Sequence, residues 1–396
     1  MISGGAHSSG RRGVLMVAFA AFVMLGLADG SLGVAWPSIR SAFGRGVSEL
    51  GALLAIGSVG HLTASTAYGR IHARIGTGAA LGTGCTLMAV GLLGIASAPV
   101  WSVIAISAVL LGIGGGLIDT GMNAHAALEF DLRSINLLHA SFGVGATLGP
   151  VLMTISLTAG AAWRGGYAVM ALAQAAMAVV IWRSRSRWTS RPPEAGDDDV
   201  VTVRRARVVL LLALFFVYTG AEVGVGQWAY TLLSEGRGMS TAVAGGWVAA
   251  YWAGLTIGRF LVSAVGNRVS PSHTLNASVV IALVGVGLLW WDPVGAGFVG
   301  LPVAGIGFAA IFPTLVSLTP LRIGRVRSTR MVGYQLAAAN LGVATLPWVL
   351  GLLAEAQGLA VLGPGLFGVT AFFTLLHLWA DRPGGSQRPF KRVESG

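Results

Sequence analysis

The chain has 396 residues, of which 54% are hydrophobic and only 10% charged, and its formal net charge is +11. An average soluble domain carries roughly 25% charged residues, so this composition excludes an ordinary water-soluble fold and points to lipid. The 59 glycines fit that setting, because small residues let membrane helices approach closely.

In chain order, apolar stretches recur at the length of about 18 to 25 residues that a helix needs to cross a bilayer. Twelve are expected, at 13–36, 48–69, 78–97, 100–123, 138–160, 164–183, 207–233, 241–264, 274–291, 295–318, 331–353 and 360–380. The first is too long for a secretory signal and has no small-residue cleavage site, so it reads as a retained helix. With the N-terminus inside, 22 of the 26 basic residues fall on the inner side and only Arg40, Arg45, Arg164 and Arg237 on the outer side. That asymmetry orients the chain with both termini cytoplasmic. It also accounts for the positive charge through anionic lipid at the inner surface, with no nucleic-acid partner required.

A hydrophilic stretch with a Pro pair, an acidic triplet and flanking arginines follows the sixth span. It divides the chain into an N-terminal six-helix half (1–183), a cytoplasmic linker (184–206), a C-terminal six-helix half (207–381) and a cytoplasmic tail (382–396). The halves echo each other in "ADGSLG" (28–33) against "AEVGVG" (221–226), and in Gly69-Arg70 against Gly258-Arg259. Their similar offsets of 193 and 189 residues argue for a duplicated unit. The fold class expected is all-α and integral to the membrane, with twelve helices in two pseudo-repeats.

This plan, with the stretch "GRIHARIGTGAAL" (69–81) after the second span, resembles the major facilitator superfamily across essentially the whole chain. Gly69, Arg74 and Gly76 match that family's G-x-x-x-D-R-x-G-R-R signature, while Ala73 stands where the acid is expected. Within the superfamily, "GLIDTGMN" (116–123), "INLLHASFGVGATLGP" (135–150) and "GAEVGVGQW" (220–228) resemble the fucose permease-like branch of sugar:proton symporters. The resemblance implies alternating access about a midplane site, proton coupling at Asp119 and a gating role at the inner side for Gly69, Arg70, Arg74, Gly76, Gly258 and Arg259.

Only three of the fifteen acids lie within spans: Asp29, Asp119 and Glu222. An acid at the centre of a membrane helix costs roughly 2.5 to 3.5 kcal/mol on insertion scales, which makes function its default reading. A carboxylate can be neutral when occluded and ionised when its cavity faces water, so all three are candidates for proton coupling. No basic residue is placed deep in a span, and the acids are therefore expected to lack buried ion-pair partners. Asn123, one turn from Asp119, His139, Gln174, Gln227, Trp228, Tyr251, Gln335 and Asn340 are the candidate substrate contacts, since a sugar offers both hydroxyls and an apolar ring face. His61 reads as a packed histidine.

The only lysine is Lys391, so the chain holds no phosphate-binding G-x-x-x-x-G-K-[ST] loop, and transport must be secondary. "GAGFVG" (295–300) and "GPGLFG" (363–368) lie in spans and read as helix packing, and Cys85 is the single cysteine. No enzymatic constellation, metal or cofactor is expected. The partners are a small-molecule substrate, protons and the bilayer, with the chain a monomer in a bacterial plasma membrane. The alternative is a proton-driven exporter of drugs or metabolites, on the likeness of "GATLGP" (145–150) to part of an antiporter signature.

Overall fold

A computed structural model describes residues 4–188, 205–265, 268–292, 295–323 and 325–380. Residues 189–204 of the expected 184–206 linker and the whole 382–396 tail fall outside the described residues. The described chain is all-helical: α1 (Gly4–Ala42), α2 (Glu49–Ser97), α3 (Trp101–Glu129), α4 (Leu132–Thr158), α5 (Ala162–Ser184), α6 (Arg205–Thr231), α7 (Thr241–Val265), α8 (Pro271–Trp291), α9 (Gly300–Ala309), α10 (Ile311–Ile323), α11 (Arg325–Gln357) and α12 (Leu362–Ala380). Ten helical stretches among the described residues are long and apolar enough to cross a bilayer. One of them, Glu49–Ser97, has 49 residues and bends at Gly76 into two arms. Counting its arms separately and adding Thr241–Val265 is consistent with the expected twelve.

Two departures from the sequence reading have local causes. The expected loop after the second span is helical up to a single reversal at Gly76 (φ 77°, ψ 166°), a conformation that only glycine adopts without strain. The tenth span is broken into α9 and α10 at Ala310, because Pro313 has no N–H for the Ala309 carbonyl and its ring crowds that group. Other ends carry the expected stop and start chemistry. Asp131 caps α4 by accepting from Ser134 N (3.0 Å), and Ser270 caps α8 ahead of Pro271.

Helices α1–α5 pack together as one bundle and α6–α12 as a second. Within the first, glycines set the spacing. A Cβ built on Gly30 would collide with the Ala146 carbonyl, one on Gly145 with the Val23 carbonyl and one on Gly149 with the Leu27 carbonyl. The Gly-rich face of α1 is thus spent on α4 and needs no help from the Asp29 carboxylate. Large apolar side chains such as Leu172, Val59 and Leu375 lie exposed on the outside, as a lipid-facing surface requires.

The bundles meet along three seams. In the α4–α7 seam, Gly143 faces Thr256 and Thr154 faces Gly245; in the α2–α11 seam, Gly51 faces Trp348 and Ser48 faces Gly351. The third is α1–α6, where a Cβ on Gly33 would stand 2.6 Å from the Gln227 carbonyl oxygen. Each of the first two is antiparallel and runs toward the end of the molecule that carries the α1–α2 and α11–α12 connections.

Candidate functional site

The seamed end is also clasped by polar groups. Arg40 Nη2 donates to Glu235 Oε2 at 2.6 Å, and the Ser48 backbone N–H donates to Glu355 Oε2 at 3.1 Å, each joining one bundle to the other. Glu235 sits in a short π-helical turn, Leu232–Gly236, that ends the α6 rod. All four arginines that the sequence places on the outer side lie here and are engaged. Arg45 lies 3.6 Å from Glu49 and over the Trp101 ring, Arg164 donates to the Ala98 carbonyl and stacks on Trp163, and Arg237 lies 3.5 Å from Asp292. Exposed ion pairs are each worth little, so Glu235→Gln combined with Glu355→Gln should raise opening of this end by only about threefold to fivefold. A Thr154→Cys reporter reads it as a faster rate of maleimide labelling, since Thr154 Oγ1 is buried in the seam and Cys85, the one native cysteine, is buried as well.

Away from the clasp α3 packs little against the second bundle, and partly exposed charged side chains of the two bundles line the cleft between them. On the first bundle Asp119 is held by Asn123, whose Nδ2 donates to Oδ1 at 2.9 Å, one helical turn away as the sequence spacing requires. His61 Nε2 stands 3.8 Å from the other Asp119 oxygen, and the two side chains are 26% and 38% exposed. His61 is therefore a cleft residue and not a packed histidine. Thr120 donates to Ser65 at 3.0 Å, fastening α3 to the first arm of α2 beside this pair. His139 of α4 packs edge-on against Phe22 and lies within the fields of both Asp119 and, across the cleft, Arg259. Asp29 shares its surroundings with Asp119.

On the second bundle Glu222 is buried in α6, with its carboxylate 3.9 Å from Arg259 Nη2 and within hydrogen-bonding reach of Tyr218. Tyr218 donates to the Phe308 carbonyl (3.1 Å), and Tyr251 donates to the Glu222 carbonyl (2.7 Å), so α6, α7 and α9 are tied at this level. This corrects the expectation that the spans hold no deep cation. Arg259 lies far enough along α7 for its guanidinium to reach inward to Glu222, where a reading by span ends had placed it at the inner surface. Tyr218 is a further missed residue; its position one turn before Glu222 was the available signal.

The remaining candidates divide. Gln227 lies at the α1–α6 seam, donating to the Asp29 carbonyl at 3.0 Å while its own Oε1 is buried and unpaired. Trp228 is fully buried with Nε1 on the Pro347 carbonyl, so neither of its faces is free in this state. Gln335 is buried in a reciprocal pair with Thr319, Gln174 reaches only Met88 sulfur, and Asn340 is half-buried with its amide on the Leu336 carbonyl. Among the gate candidates, Arg70 and Arg74 are exposed, Gly69 has open space beside it, and Gly258 packs α7 on α9 against Ala309 and Ile306.

Residues 18–320 match the Major Facilitator Superfamily model. The chain belongs to that superfamily. It is 28% identical over 268 residues to a glucose/galactose transporter of Brucella abortus biovar 1 (strain 9-941), an alignment covering 61% of this chain and 62% of that one, and so less than two thirds of the relative's length. It is 22% identical over 379 residues to the human sodium-dependent glucose transporter 1, covering 84% and 72%. The E. coli fucose:proton symporter superposes with a TM-score of 0.63 at 15% identity, over 93% of this chain and 98% of that one. At that identity the likeness concerns the fold alone. Membership places the chain in a superfamily of multi-pass membrane transporters.

Proposed function

We propose that this superfamily member takes up a sugar-like polar solute together with protons, by alternating access between a half at 1–183 and a half at 207–381. The observation that carries the reading is the arrangement of Asp119, His61 and His139 on one wall of the cleft opposite Arg259 and Glu222 on the other. Ionisable groups at membrane depth mark ion or proton pathways. A cleft between two bundles is where this architecture binds solute.

In this reading Asp119 is the proton-exchanging acid, because it is the one held in an open cleft, with His61 and Asn123 orienting it. Asp29 and Glu222 tune it from the two halves. Asn123, His139 and the unpaired Gln227 Oε1 offer donors and acceptors to hydroxyls. Trp228, Tyr251, Gln174 and Gln335 act as the framework of the site. With the arginine bias setting the termini in the cytoplasm of a bacterial plasma membrane, the clasped end faces outward and the structure is the inward-open state of a monomer. The "GATLGP" glycines serve α1–α4 packing inside one bundle, a task that importers and exporters share, so they lend the export alternative no weight.

The test is uptake into proteoliposomes of glucose, galactose and fucose under an imposed proton or sodium gradient. Accumulation with a proton gradient alone supports the proposal. Accumulation that follows sodium instead replaces the coupling ion, and outward movement of lipophilic solutes with no sugar uptake overturns it.

A further inference from the structure

We infer that Arg259 is a shared counter-ion, held by Glu222 while the cleft is open and passing to Asp119 when that side closes, so that closure depends on the charge of Asp119. The inference rests on the transport reading above and adds a positioning residue that the sequence assigned only to an inner gate.

The geometry leads there through the α4–α7 seam. Gly143 faces Thr256 and Thr154 faces Gly245, so the pairing shifts one residue back on α7 for each residue forward on α4. Extending the same register beyond Gly143 and Thr256 brings His139 opposite Phe260, the neighbour of Arg259. These are therefore the first groups to meet as the cleft zips shut. His139 already lies in the field of Arg259 and of Asp119, which marks the route from one wall to the other.

Closure also removes water from two charges, the 25% exposed Arg259 and the 38% exposed Asp119. Burying either without a partner is strongly unfavourable, whereas burying them together offsets the loss. Glu222 competes for the same guanidinium from behind, at 3.9 Å and with Tyr218 and Tyr251 around it. The other ionisable neighbours are Asp29 and His61, both beside Asp119.

The consequence is a rule for which forms cross. The empty carrier with Asp119 ionised closes through the Arg259 bridge. A proton on Asp119 removes the bridge, so a carrier holding the proton but no solute stays open and does not leak protons. Solute hydroxyls then supply the hydrogen bonds to Arg259 that the carboxylate no longer offers, and the loaded carrier closes.

The experiment uses Thr154→Cys in the full-length protein in proteoliposomes, labelled by a membrane-impermeant maleimide from the clasped side. Labelling reports the state in which that side is open and the cleft shut, and it needs no solute. Asp119→Asn and Arg259→Gln are each expected to slow labelling about tenfold, within the usual range of coupling between sites. The double variant should be no slower than either single one, because the two act through one bridge. Glu222→Gln should speed labelling, since it releases Arg259 from its competitor, and Arg259→Lys should recover part of the rate. A purely structural Arg259 would give the same sign for all variants, and independent, additive effects of Asp119→Asn and Arg259→Gln would overturn the bridge. If the labelling pattern holds while no sugar is transported, the proposed solute and not the counter-ion is at fault.

Discussion

Asp119→Asn is expected to abolish uphill uptake while leaving solute exchange intact. The substitution is nearly isosteric and keeps the oxygen that accepts from Asn123 Nδ2 at 2.9 Å, so α3 should hold its shape. Under the proposed coupling, what is lost is the ability to bind and release the proton that ties solute movement to a gradient. Accumulation should therefore fall to equilibrium, a loss of about 100-fold or more in initial rate against a gradient, as expected when a group acting directly in the cycle is removed. In the proposed cycle, exchange between labelled and unlabelled solute involves only the loaded carrier, which needs no release of the proton, and should continue. The measurement compares gradient-driven uptake with counterflow in the same vesicles. Loss of both would instead mark Asp119 as a solute ligand, and retention of both would remove it from the cycle.

The same residue shows how far the sequence could be read. Asp119 was legible because an acid inside an apolar span is costly, and its partner Asn123 because four residues on a helix make one turn. The spans themselves followed from bilayer thickness, and the arginine bias anticipated an end at which all four minority arginines are individually engaged. The contacts between distant segments were not legible. Nothing in the order of residues brings Arg259 to Glu222, since both lie on separate helices whose register is set by α6–α7–α9 packing through Tyr218 and Tyr251. The clasp was hidden for the same reason, Arg40 meeting Glu235 across 195 positions of chain. Trp228 misled in the other direction. An indole beside Gln227 suits a sugar face, yet its Nε1 is spent on Pro347 and its ring fills the seam beneath Gly351.

Gly30→Leu is expected to prevent the N-terminal bundle from assembling. In α1 a Cβ at this position would run into the Ala146 backbone carbonyl, and at Gly26 into that of Phe142, so two successive turns of the helix approach α4 backbone to backbone. Backbone atoms cannot rotate away as a flexible side chain would, and the only relief is to move α1 bodily outward. That motion also breaks the reciprocal contacts of Gly145 on Val23 and Gly149 on Leu27, because the four glycines share one interface. Membrane helices have little hydrophobic drive to associate, so close packing of this kind supplies much of their attraction. Overpacking a soluble core typically costs about 1 to 3 kcal/mol, and the loss here should lie at or above the upper end, since every contact along the seam is affected. Thermal stability read by fluorescence-detected gel filtration should show aggregation or no monodisperse peak for Gly30→Leu, whereas Gly13→Leu, where a Cβ has nothing within 4 Å, should behave as wild type. A stable, monodisperse Gly30→Leu protein would mean that α1 does not pack on α4 as described, and the placement of Asp29 near Asp119 would fall with it.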